Sequence, residues 1–147
     1  MEQPKHKSFT YRTSVEWSED RQGMLRSEGK PSLEISSPPE FKGLPGYWTP
    51  EEMLVAAAEI CTMSTFLSFG ERKNLPLVSY RSSAEGLLEF TEGNYRFTTI
   101  TIRPEITVGS AWSAEQVEAL LHKAHEHCLI ANSLTASVVI EPSVIIV

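Results

Sequence analysis

The sequence is short of most features that announce a function at once. It has two cysteines in 147 residues, too few for a disulfide framework. No phosphate loop, dinucleotide fingerprint or nucleophile elbow occurs in it. Its lysines and arginines form no run and the net charge is −6. Such a surface repels phosphate backbones and anionic headgroups, which argues against a nucleic-acid partner. The first ten residues are polar, carry Lys5 and Lys7 and lack an apolar h-region, so the expected location is cytoplasmic. The longest mostly apolar stretch, Met53 to Phe69, is interrupted by Glu59 and several hydroxyls; its length and polarity argue against a membrane span. Internal repeats and low-complexity segments are missing too, and the length suits a single domain over residues 1–147.

What is present alternates between strand and helix patterns. Phe9, Tyr11, Thr13, Val15 and Trp17 share one face of a stretch from Ser8 to Trp17 whose other face is polar, which predicts a half-buried strand. Short strands are expected near Met24 to Ser27 and Ser32 to Ser36. A loop holding Pro38, Pro39, Gly43, Pro45 and Gly46 follows. Thr49, Pro50 and Glu52 supply an N-cap, a first-turn proline and a capping box. The helix they open is apolar on every side through Phe69, so it is expected to be wrapped by protein all round. Two strands, Val78 to Phe90 and Tyr95 to Ile106, flank a Thr91–Asn94 hairpin loop. Ser113 and Gln116 cap a second helix whose stripe is Val117, Leu120, Leu121, Ala124 and Cys128. A last strand, Ala136 to Ile140, leads into an apolar tail. The order describes an α+β fold. A chain this small can hardly cover a wholly apolar helix alone, which predicts an obligate homodimer.

Each of the two long helices therefore carries one cysteine. In a reducing cytosol such cysteines are buried bystanders, metal ligands or redox groups. His122, His125 and His127 gather near Cys128, a pattern that admits a metal site, although Lys123 among them fits the cations that end a helix.

Two blocks of sequence narrow these options. One is Thr-Pro-Glu-Glu-Met-Leu-Val-Ala-Ala-Ala-Glu-Ile-Cys, from Thr49 to Cys61; the other is His-Glu-His-Cys-Leu-Ile-Ala-Asn-Ser-Leu, from His125 to Leu134. In residues, order and spacing they resemble the OsmC/Ohr family, and the resemblance runs over essentially the whole chain. It implies an OsmC-like α+β fold, with antiparallel sheets around a buried central helix, in an intertwined homodimer whose active site lies at the dimer interface. It also implies a cysteine-based hydroperoxide reductase. Cys61 matches the peroxidatic cysteine, Cys128 the resolving cysteine and Glu51 the active-site glutamate. Arg21 takes the place of the active-site arginine, with Arg12 and Arg26 as competitors. The implied partners are an organic hydroperoxide and an external dithiol reductant, with no cofactor. The chain departs from the family pattern at Leu129, where the peroxidase branches carry proline, at Ala131, where serine is common, and at Glu59. These departures keep a second reading open: an OsmC-fold protein that binds a small apolar ligand or senses oxidants.

The chemistry sets its own demands. A thiolate attacks peroxide and a thiol does not. Burial raises a thiol pKa, so Cys61 in an apolar helix calls for a nearby cation, which Arg21 held by Glu51 would supply. Ten helical residues put Glu51 about 15 Å from Cys61, so the pair meets only through a long Arg21 bridge, a bend or a second subunit. Cys128, at a helix C-terminus, is disfavoured as a thiolate and suits the resolving role. Phe66, Met63, Tyr47 and Trp48 are the candidates for an apolar surround that favours an alkyl hydroperoxide.

Overall fold

The computed structural model describes residues 6–147. They form two compact units, one ending at Pro50 and the other spanning Glu51–Val147.

The N-terminal unit is an antiparallel meander of β1 (Ser14–Glu19), β2 (Gln22–Arg26) and β3 (Leu33–Ser36). Asp20, at φ 46°, turns β1 into β2, and its carbonyl accepts a hydrogen bond from Trp17 Nε1 at 3.0 Å. The first strand is shorter and barer than its alternation predicts. It begins only at Ser14, and Phe9, Tyr11, Val15 and Trp17 are all exposed. Alternation specifies which side chains share a face, and within this chain that face is left uncovered.

The second unit contains α1 (Pro50–Arg72), β4 (Leu77–Thr91), β5 (Asn94–Val108), α2 (Ala114–Glu126), β6 (Ser137–Ile140) and β7 (Ser143–Ile146). β4 and β5 form a long antiparallel hairpin. Its two central turn residues, Glu92 and Gly93, have φ of 52° and 85°, the positive pair that a two-residue hairpin turn requires. β6 and β7 both pair with β5 in parallel. The apolar tail after Ile140 is thus a strand in its own right. Pro142, which lacks an N–H for the ladder, separates the two.

Ile100, Ile102, Pro104, Ile106 and Val108 alternate along β5 and are buried. The isoleucines and Val108 join Ala58 and Phe66 of α1 and Val117, Leu120, Leu121 and Ala124 of α2 in one core. The predicted capping box of α2 is present: Ser113 Oγ accepts from the Gln116 amide at 3.2 Å, and Gln116 Oε1 accepts from the Ser113 amide at 2.9 Å. Gly86 marks where α1 lies against β4, since a Cβ there would stand 2.6 Å from Val55 Cγ2.

α1 departs from its sequence-based description in how it is covered. It buries a single stripe, Ala58, Thr62, Phe66 and Gly70, while Ile60 remains 58 % exposed. Its bounds are those that Pro50 and the fade by Arg72 to Asn74 predict. Over Pro50–Arg72, with a mean hydropathy of 1.5 in its best window, it is long and apolar enough to cross a membrane by length and composition. Its buried stripe packs into the core shared with β5 and α2.

Candidate active site

Cys61 lies in the middle of α1 and is half-buried; Cys128 is fully buried. Cys128 follows His127, the C-cap of α2. Its amide donates back to the His125 carbonyl at 3.1 Å, and its own carbonyl accepts the Asn132 amide at 3.0 Å. Cys128 therefore closes one helix and opens the next turn. The first amides of a helical turn have no acceptor within it, and here they meet sulfur. The N–H groups of Leu129 and Ile130 lower the pKa of Cys61, and that of Ala131 lowers the pKa of Cys128. The two thiols also act on each other, Cys128 lowering the pKa of Cys61 and Cys61 raising that of Cys128. Thr65, one turn beyond Cys61, brings Oγ1 to 3.9 Å from Cys61 Sγ and donates to the Cys61 carbonyl at 2.8 Å.

These surroundings split the two thiols. For Cys61, burial pushes the pKa up, but the Ile130 amide, the Cys128 thiol, the Thr65 hydroxyl and the Leu129 amide outweigh it, so the pKa falls below its ordinary value. For Cys128, burial again raises the pKa and the neighbouring Cys61 adds to it; the Ala131 amide and the Thr62 hydroxyl do not offset them. The Cys128 thiolate is thus disfavoured mainly by burial rather than by the helix C-terminus. In the C-terminal unit, amide and hydroxyl donors already favour the Cys61 thiolate before any cation is added.

A cleft of about 760 Å³ opens onto Cys61. Cys128 is not among its lining residues. Leu120, Phe69 and Leu129 supply apolar wall, and Arg72, Lys73 and Lys123 supply positive charge. Neither Phe66 nor Met63 lines it. Phe66 is a core residue whose ring packs against Tyr80 at 5.8 Å, and Tyr47 and Trp48 belong to the N-terminal unit.

The other predicted site residues lie apart from this contact or in the other unit. α1 is continuous from Pro50 to Arg72, so Glu51 stands about 15 Å along the axis from Cys61. Its Oε2 is buried without a hydrogen-bond partner among the described residues. Arg21 sits exposed at the β1–β2 turn, beside Asp20, Lys42 and Leu44. Of its competitors, Arg26 is paired with Glu16 at 3.3 Å, and the Arg12 carbonyl accepts from Ser27 Oγ at 2.9 Å. Glu59 finds its partner in Ser82 of β4, whose hydroxyl donates to it. His125 contacts the Val138 carbonyl through Nε2 at 3.2 Å, and His127 stacks on Phe69 at 5.4 Å. Among the described residues no group of three or more His, Cys, Asp or Glu is placed to hold a metal.

Sequence reasoning missed Thr65, the three turn amides and the basic rim of the cleft. Thr65 was findable, as a hydroxyl one turn after a candidate nucleophile. The amides belong to every residue type and leave no mark in a sequence.

Comparison with known proteins agrees with this architecture. Residues 43–143 match the family of OsmC-like proteins. The uncharacterized protein YmaD of Bacillus subtilis is 33 % identical over 109 residues, 71 % of each chain. An OsmC-like protein of unknown function from Vibrio cholerae superposes with a TM-score of 0.86 at 27 % identity, covering 92 % of this chain and 99 % of its own. An organic hydroperoxide resistance protein from Legionella pneumophila shares the fold at a TM-score of 0.75 and 22 % identity, covering 95 % and 99 %. With this family match and the α+β architecture around a central helix, the chain belongs to the OsmC-like family.

Proposed function

We propose that this protein is a thiol-dependent peroxidase that reduces organic hydroperoxides to alcohols. The observation that carries the reading is the asymmetric thiol contact: Cys61, lowered in pKa and open to a cleft, beside Cys128, raised in pKa and buried. The Cys61 thiolate attacks the distal peroxide oxygen, the O–O bond breaks, and the alkoxide leaves and takes up a proton as the alcohol. Cys61 is then a sulfenic acid. Cys128 attacks its sulfur, giving a Cys61–Cys128 disulfide and water. An external thiol reductant restores both cysteines by exchange, and no cofactor takes part. The hydroperoxide-resistance name of a structural neighbour supports the same class of chemistry.

Arg21 and Glu51 enter this proposal through the family resemblance. We assign them to a site completed by a second copy of the chain, where Arg21 would steady the thiolate and the peroxide oxygens and Glu51 would hold the guanidinium. Glu51 Oε2, buried without a hydrogen-bond partner among the described residues, supports a donor from a second copy. The exposed apolar face of β1 and the exposed Ile60 of α1 support a homodimer. A cytoplasmic location fits thiols that must be re-reduced.

The test is a free-thiol count by intact mass, before and after one equivalent of cumene hydroperoxide, on wild type and Cys128→Ser. The expected result is loss of two hydrogens in wild type and a Cys61 sulfenic adduct in the variant. Two unreacted thiols would overturn the peroxidase reading and favour the ligand-binding one.

A further inference from the structure

Glu59 is an acid in the middle of an apolar helix, two residues before Cys61. It lies on a seam between α1 and β4. Tyr80, Ser82, Ala84 and Gly86 alternate along the less exposed face of β4, and three contacts tie that face to α1. Val55 packs at Gly86, where a Cβ would stand 2.6 Å from Val55 Cγ2. The Ser82 hydroxyl donates to Glu59 Oε2. The Phe66 ring centroid lies 5.8 Å from that of Tyr80. These residues ascend α1 as they descend β4, over about 16 Å of helix and about 20 Å of strand, so the two elements run side by side. The seam lies wholly within the C-terminal unit and needs no second copy of the chain.

Apolar contacts hold α1 against β4 but fix its rotation poorly. Apolar attraction is non-directional, and α1 is apolar around its circumference, with Ala58 and Gly70 in its buried stripe. A hydrogen bond has direction. A single polar contact in an apolar interface singles out one setting, as a lone polar residue does for helix register. Rotation matters to Cys61 because two residues are about 200° of helical turn, which puts it on the other side of α1 from Glu59. A roll of about 10° would move a side-chain tip by about 1 Å at a helix radius of about 5–6 Å, enough to weaken a hydrogen bond. The Leu129 and Ile130 amides belong to the turn after α2 and would not follow that roll, whereas Thr65 turns with α1. Charge gives no reason for the acid, since a carboxylate near Cys61 opposes its thiolate. Nor does the seam favour it, because Glu59 disfavours the ionised form of Tyr80.

We propose that Glu59 is a positioning residue: the hydrogen bond it accepts from Ser82 sets the rotation of α1 and so aims Cys61 at the turn that follows Cys128. The inference rests on the preceding section's reading of Cys61 as the attacking thiol. Glu59 touches no substrate and acts through the helix alone.

The experiment is iodoacetamide alkylation of Cys61 in the reduced protein between pH 5 and 10, read by peptide mass spectrometry. It compares wild type with Glu59→Leu, Glu59→Gln, Ser82→Ala and Tyr80→Phe. Gln removes the charge and keeps an oxygen that accepts from Ser82; Leu removes both. Ser82→Ala removes the donor and leaves the charge. The profiles of Glu59→Leu and Ser82→Ala are expected to have midpoints about 0.5 pH higher, with about threefold slower alkylation at pH 7. Glu59→Gln should stay at or below the wild-type midpoint, and Tyr80→Phe, on the same seam but outside this hydrogen bond, should overlay wild type. Charge alone would lower the midpoints of the Leu and Gln variants together. Leu and Gln profiles that coincide, or a Ser82→Ala profile that overlays wild type, would overturn the proposal. A shift in Tyr80→Phe as large as in Ser82→Ala would equally overturn it, by making the whole seam responsible. If Glu59→Leu does not fold, Ser82→Ala against Glu59→Gln still decides the question. Alkylation needs no hydroperoxide, so the peroxidase reading can fail in its own test without deciding this one.

Discussion

α1 and α2 each deliver one cysteine to the same contact, and they do so by different logic. α2 keeps an amphipathic stripe, buries it fully and ends in a fully buried thiol. α1 is apolar around its circumference, buries one stripe and leaves the rest for other uses. Cys61 lies just beside that stripe, next to the buried Thr62. It is close enough to the core to be surrounded by fixed donors and far enough from it to reach a cleft. The contrast separates two consequences of burial. With only weak opposition it silences a thiol, as at Cys128. Combined with unspent amides and a hydroxyl, it produces a more acidic one.

The largest effects test that division of labour. Cys61→Ser is expected to bring hydroperoxide turnover to background, a loss of at least about a thousandfold. Cys128→Ser keeps the first oxidation and stops at the sulfenic acid, so a fast burst without steady turnover is the expected trace. Exchanged behaviour between these variants would reverse the roles. Next in size is Thr65→Val, which removes the hydroxyl that lies 3.9 Å from Cys61 Sγ. A hydrogen bond to a charged group is worth ~1.5–3 kcal/mol, so the rate of Cys61 alkylation at neutral pH should fall by about tenfold or more. Leu129→Pro removes an amide that lowers the Cys61 pKa less than Thr65 does, and should cost a few-fold in the same assay.

The smallest effect concerns the other side of α1. Tyr80 is pushed up to about 12 by burial and by the Glu59 carboxylate, and its hydroxyl is buried without a hydrogen-bond partner among the described residues. The folded state resists ionising this tyrosine, so stability relative to the unfolded chain is full below the unfolded pKa of about 10 and falls as pH rises towards 12. Tyr80→Phe should be neutral or stabilising by ~1 kcal/mol at pH 8. It should also show a shallower loss of stability above pH 10 in urea unfolding. An equal loss in both proteins would remove Tyr80 from the pH response.

Much of this was legible in the sequence, for reasons that particular residues make plain. Ser113 and Gln116 announced α2 because a capping box is a local device. The stretch from Thr91 to Asn94 announced the hairpin, and its Gly93 suits the positive φ found there. Cys61 and Cys128 were paired through flanking blocks that resemble a family. The missed features depend on tertiary placement. Periodicity describes α1 as apolar all round, but which stripe is buried depends on where β5 and α2 lie. Pro142 breaks an apolar tail whose second half pairs with β5 through partners distant in sequence. The donors around Cys61 are mostly backbone, and the rim cations lie on two helices.

The most direct test of the central claim is site-resolved alkylation of reduced wild type between pH 5 and 10, read by peptide mass spectrometry. Cys61 is predicted to reach its plateau at lower pH than a free cysteine, and Cys128 to remain largely unmodified past that point. Coincident profiles, or a Cys128 that reacts first, would contradict the asymmetry on which the proposed mechanism stands.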